Sequence, residues 1–376
     1  MKWEKVKLGN VTDSCLGKML DQNKNKGDYQ PYLANVNVRW GEFDLEDLPL
    51  MKFEESEQER YELKYGDLVI CEGGEPGRCA IWKEQIPNMK IQKALHRVRV
   101  HDCLDYRYLF YWFLLAGKTG ELDQYFTGAT IKHMPGQKLK EVVIDKPPLE
   151  IQHRIADILS AYDDLIENNQ KQIKLLKEAA QRLYKEWFVD LHFPGHENTK
   201  IVDGVPEGWR RGLLKELISV NYGKDHKKVP DDGNIPVYGS GGLMRKCNKS
   251  LFSGEAVLIP RKGSLNNIMY VDETFWTVDT MFYATMKQPH TAVFVYFFVK
   301  AFDMYSMNIG AAVPSMTTKI LDAMDVVIPD KETLEKFDKR AKLYFNKIKT
   351  LQGQNERLKT ARDLLLPKLM NGEVEV

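Results

Sequence analysis

The chain has 376 residues, of which 43% are hydrophobic and 28% charged, with a formal net charge of +1. That is ordinary composition for globular protein and predicts about two to three domains. The most apolar run, 293–302, has about half the length of a membrane span and contains Lys300. No basic start followed by an apolar stretch predicts a signal peptide, and five cysteines without a CxxC pair argue against structural zinc and for reduced thiols in a cytoplasm.

In chain order, residues 1–148 read as a mixed α/β domain with short β-branched strands between turn residues. Arg39, Trp40 and Arg78 lie beside loops, and 42–62 carries nine carboxylates against Lys52 and Arg60. The strand signal Leu68–Cys71 runs into a glycine-rich turn at 73–77, and Thr130, Lys132 and His133 form a polar run after Gly128. Residues 149–190 read as one long helix, and 191–208, with two prolines and three glycines, as a linker. Residues 209–330 read as a second mixed domain. Tyr238, Ser240, Arg245, Arg261, Lys262 and Ser264 are donors near its glycine turns, followed by Thr318 and Lys319. Residues 331–376 hold a second long helix and the tail.

The second half repeats the first. Gly128, Met134, Leu139 and Pro147 recur 182 residues later as Gly310, Met316, Leu321 and Pro329. The strand Leu68–Cys71 is matched with Ala256–Ile259, each after a glycine–acid pair, and the turn 73–77 with 262–266; the offset at the turn is 189, and 206 between Trp3 and Trp209. About two dozen extra residues therefore fall in the first copy. Two copies are too few for a solenoid, which leaves an internal pseudo-twofold.

Ile155, Leu159, Tyr162, Ile166, Asn169, Ile173, Leu176, Ala180, Leu183 and Trp187 follow steps of four and three. Phe337, Ala341, Tyr344, Ile348, Leu351, Asn355, Leu358, Arg362, Leu365 and Leu369 repeat that phase. Such heptads predict coiled-coil packing. In a parallel pair each asparagine would face an aliphatic side chain, at about 1–3 kcal/mol apiece. An antiparallel pair sets Asn169 against Asn355, Leu159 against Leu365 and Leu183 against Ala341. Pro367 is expected to break the second helix.

Signatures of chemistry are absent. Gly117-Lys118-Thr119 lacks the glycine a phosphate loop needs five residues earlier, where Trp112 stands. His192 and His196 are separated by Pro194 and Gly195, so they predict no metal pair, and no amino-methyltransferase tetrapeptide occurs. The chain reads as one that binds. The donor-rich loops suit nucleic acid, since glycine lets backbone approach phosphate and arginine can read guanine. The net charge neither supports nor excludes such a partner.

In this order the segments WEKVKLG, YLANVNVRWGEFDLEDL, GDLVICEGGEPGRCAIW, TGATIKHM, PPLEIQHRIADIL, IPRKGS and LLLPKLMNGEV resemble the specificity subunits of type I restriction–modification enzymes, over nearly the whole chain. The resemblance implies an α+β fold: two target recognition domains joined by two long antiparallel helices. Each domain would read half of a split, asymmetric site in double-stranded DNA. Two methyltransferase subunits would bring S-adenosylmethionine, and any restriction subunits would bring ATP and Mg. It implies no catalytic residue, no cofactor and no metal on this chain, and an acidic 42–62 stretch turned from DNA or toward a partner. A lone DNA-modifying enzyme, or a coiled-coil scaffold without DNA, are the alternatives.

Overall fold

The computed structural model describes residues 3–21, 25–307 and 315–376. Gly310, one of the repeat markers, lies outside them. The chain forms two compact units: 1–168 with 354–376, and 169–353. The division runs through both long helices, α4 (Leu149–Tyr184) and α7 (Lys331–Met370), so each unit contains half of each.

In the first unit β1 (Glu4–Lys7) pairs with β9 (Val143–Lys146). A four-stranded sheet runs β2 (Thr12–Leu16), β8 (Leu95–Val100), β5 (Leu68–Cys71), β6 (Cys79–Ile81). A second runs β4 (Leu50–Phe53), β3 (Asp28–Leu33), β7 (Lys90–Ile91), and α1 (Gln58–Tyr61) is a single turn. Helix α2 (Tyr106–Thr119) starts at Asp105, whose carboxylate accepts from the N–H groups of Arg107 and Tyr108, and stops at Gly120 in the left-handed region. Its apolar side chains share a core with β5 and α3 (Gly136–Glu141).

In the second unit a hairpin joins β10 (Ile201–Val202) to β11 (Val205–Pro206), and β12 (Arg210–Leu213) pairs with β19 (Asp325–Ile328). The six-stranded sheet runs β13 (Ile218–Tyr222), β18 (Met281–Met286), β16 (Phe252–Pro260), β17 (Met269–Thr277), β14 (Ile235–Gly239), β15 (Gly242–Cys247). The apolar run near 293–302 is α5 (Ala292–Lys300), buried on nearly every side, and α6 (Thr318–Asp322) is short. No helix is long and apolar enough to cross a membrane among the described residues. The segment read as a linker packs in place: Phe193 is buried and its ring lies 4.8 Å from that of Trp209.

The repeat is visible in strand register. Glu4 faces Lys146, and 206 and 182 residues further on Arg210 faces Ile328. The parallel pairs Tyr32–Lys90 and Leu33–Ile91 return as Val237–Trp276 and Tyr238–Thr277. The same logic corrects one match. Cys71 faces Leu95 and Pro260 faces Met281, so Leu68 corresponds to Val257 rather than to Ala256. The glycine–acid pairs misled because Glu255 lies within the longer strand β16, whereas Asp67 precedes β5 and accepts from the Lys64 N–H.

Every heptad position is buried or half-buried. In the first unit Ile155 and Leu159, early in α4, share a core with Leu365, Leu366 and Leu369, late in α7. In the second unit Ala180 and Leu183, late in α4, share one with Ala341 and Tyr344, early in α7. The helices therefore run in opposite directions within each unit. Asn169 and Asn355 are both buried. Pro367 does not break α7, which continues to Met370. It stands in the last turn, where losing its N–H costs one hydrogen bond, and buried Leu366, Leu369 and Met370 hold that turn to the core.

Two of the nine carboxylates of the acidic stretch serve their own unit. Glu57 pairs with Lys18 and Glu62 with Lys90, whose ammonium groups are almost wholly buried. Burial alone would raise the Glu57 carboxyl, but hydrogen bonds from Lys18 and the Glu54 N–H hold it below its usual range.

Candidate nucleic-acid interface

One loop cluster is built twice, on the same backbone contacts. In the first unit the turn after β5 bridges the polar run: Gly73 pairs with His133, and the Met134 N–H donates to Glu72 O at 2.7 Å. In the second unit the turn after β16 repeats both contacts. Lys262 pairs with Ser315, and the Met316 N–H donates to Arg261 O at 2.9 Å. Each turn begins alike, with Glu72 N–H on Ala94 O and Arg261 N–H on Thr280 O, both 2.8 Å.

The turn apices correspond as well. Gly74 (φ +74°) leaves no room for a Cβ, which would lie 2.7 Å from Asn35 Nδ2. Gly263 (φ +84°) is equally filled, by Ser240 Oγ at 2.7 Å. Arg78 Nη2 donates to Asn35 O at 3.1 Å, and in the same place Asn267 Nδ2 donates to Ser240 O at 2.8 Å. The Arg78 N–H closes on Glu75 O, as the Asn267 N–H closes on Ser264 O. Glu75 and Ser264 therefore occupy one frame position.

The surroundings then diverge. Residues 34–49 join β3 to β4, whereas β14 and β15 are joined by two residues. That long loop carries Arg39 and Trp40. Trp40 packs over Gly117, where a Cβ would meet its ring at 2.7 Å, and its Nε1 donates to Glu75 Oε1 at 2.7 Å. An open cleft of about 610 Å³ results, lined by Trp40, Glu75, Phe126, Thr130, Ile131 and Lys132 among others. Ile131 is exposed, and the Lys132 ammonium lies 5.6 Å from the centre of the Phe126 ring and 3.6 Å from Asp123. His96, buried beneath, contacts Met134 O at 3.0 Å; burial lowers its basicity more than that contact raises it.

Of the first-unit residues predicted from sequence, Trp40, Thr130 and Lys132 line one cleft, and His133 closes the loop that carries two of them through paired backbone bonds with Thr127. Arg78 braces the turn through Glu75 and Asn35, and its side chain is mostly covered. Arg39 is exposed on the long loop, 4.0 Å from Asp44. In the second unit Ser240, Arg261, Lys262 and Ser264 come together at the turn. The Arg261 guanidinium stacks 5.5 Å from the Tyr222 ring and donates to Asp279 O. Arg245 lies elsewhere, donating to His226 O and Val229 O, and so ties down that loop. Tyr238 donates to Glu273 at 2.6 Å; burial, then that carboxylate, pushes its hydroxyl above the usual range. Thr318 and Lys319 open α6, and Lys319 is exposed.

Glu75, Asn35, Phe126 and Asn267 were not singled out from sequence. Aligning the turns at an offset of 189 places Glu75 on Ser264, a signal that was available; Asn35 and Phe126 arrive from distant segments and carry none.

A profile of the family described as type I restriction modification DNA specificity domain matches residues 1–178 and 206–360. The chain belongs to that family. Among curated relatives of this specificity subunit are two from Methanocaldococcus jannaschii. The type I restriction enzyme MjaIX specificity subunit is 27% identical, over 83% of this chain and 78% of the relative. The MjaVIII specificity subunit is 24% identical, over 100% and 93%. The crystal structure of an S subunit from M. genitalium shares the fold, with a TM-score of 0.59 at 19% identity, covering 98% of this chain and 96% of that one. Neither unit of the specificity subunit, among the described residues, holds three or more His, Cys, Asp or Glu placed to bind a metal ion. Its five cysteines are free, and burial pushes the Cys71 thiol up to about 11.

Proposed function

We propose that this specificity subunit reads a split, asymmetric site in double-stranded DNA, with one part read at each loop cluster. It does so without catalysing a reaction. In the cytoplasm it joins two methyltransferase subunits that carry S-adenosylmethionine, and, where present, two restriction subunits that use ATP and Mg. The observation that carries the reading is the duplicated turn: the contacts among residues 72–78, 35 and 133–134 return among 261–267, 240 and 315–316, while the exposed side chains differ. A conserved frame with changed tips suits a module that holds its geometry and varies its target. Exposed Lys132, Lys262 and Lys319 supply phosphate contacts, which give affinity, and the turn side chains supply base contacts, which give specificity.

The test is to co-express the chain with the methyltransferase subunits and map the modified positions in host DNA. Two separated, unlike sequence elements are expected. A single uninterrupted motif, or methyl transfer by the purified chain alone, would reject the proposal.

A further inference from the structure

Glu75 is the acidic side chain at the apex of the first unit's turn, in a cleft that also holds Asp123 and one cation, Lys132, 3.6 Å from Asp123. Two donors fix it: Trp40 Nε1 reaches Oε1 at 2.7 Å and Arg78 Nη1 reaches Oε2 at 3.0 Å. Arg78 is itself held on Asn35 O, and Gly74 admits no Cβ, so the turn cannot easily swing the carboxylate away. The Glu75 side chain nevertheless stays 54% exposed. A carboxylate offers about four lone-pair directions, and these two bonds use one on each oxygen, so each retains acceptor capacity toward solvent. Fixed acceptors facing a DNA groove repel phosphate and base acceptors alike. They are favourable only against a base donor.

Resting on the DNA-reading function proposed above, we infer that Glu75 is a specificity-determining residue that accepts a hydrogen bond from the N4 amino group of a cytosine in the major groove. Guanine and thymine present acceptors at that edge, and the adenine amino group is flanked by the N7 acceptor. Cytosine presents its amino group without that neighbour. The equivalent Ser264 both donates and accepts, and discriminates less. The first unit's target therefore contains a cytosine that the frame position of the second unit does not demand.

The experiment uses the complete methyltransferase complex in a host lacking DNA methylation of its own, with the modified motif read by single-molecule sequencing. The wild-type complex is compared with Glu75→Gln, Glu75→Ala and Ser264→Glu. In both Glu75 variants, preference for cytosine at one position of one half-site falls about 10- to 100-fold, the usual discrimination of one base pair. The other half-site stays unchanged. Ser264→Glu shifts one position of that other half-site toward cytosine. An unchanged motif in the Glu75 variants, with thermal unfolding shifted or not, makes Glu75 a turn brace only and overturns the inference. So does a change at a base other than cytosine, or complete loss of methylation by variants that remain folded. If the variants do not fold, Ser264→Glu decides: no gain of cytosine rejects the assignment. Absence of a split motif in the wild-type complex rejects instead the function on which the inference rests.

Discussion

Replacing Gly74 by alanine tests the turn directly. At φ +74° an alanine is strained, by about 1 kcal/mol. Its Cβ would lie 2.7 Å from Asn35 Nδ2, which donates to Gly73 O at 2.9 Å. Asn35 must therefore leave, and that bond is worth about 1 kcal/mol. Together Gly74→Ala costs about 2 kcal/mol. Gly263→Ala meets the same strain at φ +84°, but the obstacle is the Ser240 hydroxyl, which can rotate aside. Its expected cost is about 1 kcal/mol. Urea unfolding of both variants measures the difference. A cycle with Asn35→Ala isolates the clash: once the amide is gone, Gly74→Ala should cost only its strain, which gives a coupling of about 1 kcal/mol. Equal costs for the two glycines, or additivity of Gly74→Ala with Asn35→Ala, would refute the reasoning.

Asp330→Ala removes the carboxylate that caps α7 through the Thr333 N–H and accepts from Trp209 Nε1; chemical unfolding should show a loss of about 2–3 kcal/mol. Burial opposes ionisation of Asp330, but the bonds from Thr333 and Trp209 outweigh it and hold the carboxyl below the usual 3.8. Its contribution is therefore present above the usual value and lost as pH falls through the lower folded one, so the variant should show a weaker acid dependence below about pH 4. Glu62→Ala strands the buried Lys90 ammonium and should cost about 3–5 kcal/mol, whereas the double change with Lys90→Met should recover most of it, both read by thermal unfolding. Lys262→Ala should weaken retention of every DNA sequence alike and lower the salt slope of binding by about 1, measured by titration at several salt concentrations.

Local patterns carried much of this architecture. The heptads of α4 and α7 were legible because a helix buries residues three and four apart, whatever its partner. Their opposite running followed from side chains that must meet, Leu159 with Leu365 and Leu183 with Ala341, and each pair does share a core. The duplicated turn could be located because only glycine suits residues 74 and 263. Donor-rich segments could be noticed but not sorted, since a guanidinium has the same sequence signal in either role. Only tertiary contacts turned Arg245 inward to the carbonyls of its neighbouring loop and set Trp40 on Glu75. They also drew Glu57 and Glu62 of the acidic stretch onto Lys18 and Lys90, and carried α7 through Pro367 because a buried last turn outweighs one missing bond. Periodicity and turn chemistry act over a few residues and can be read along the chain. Which exposed group faces a partner depends on segments dozens of residues apart arriving at one place, and that is settled by packing.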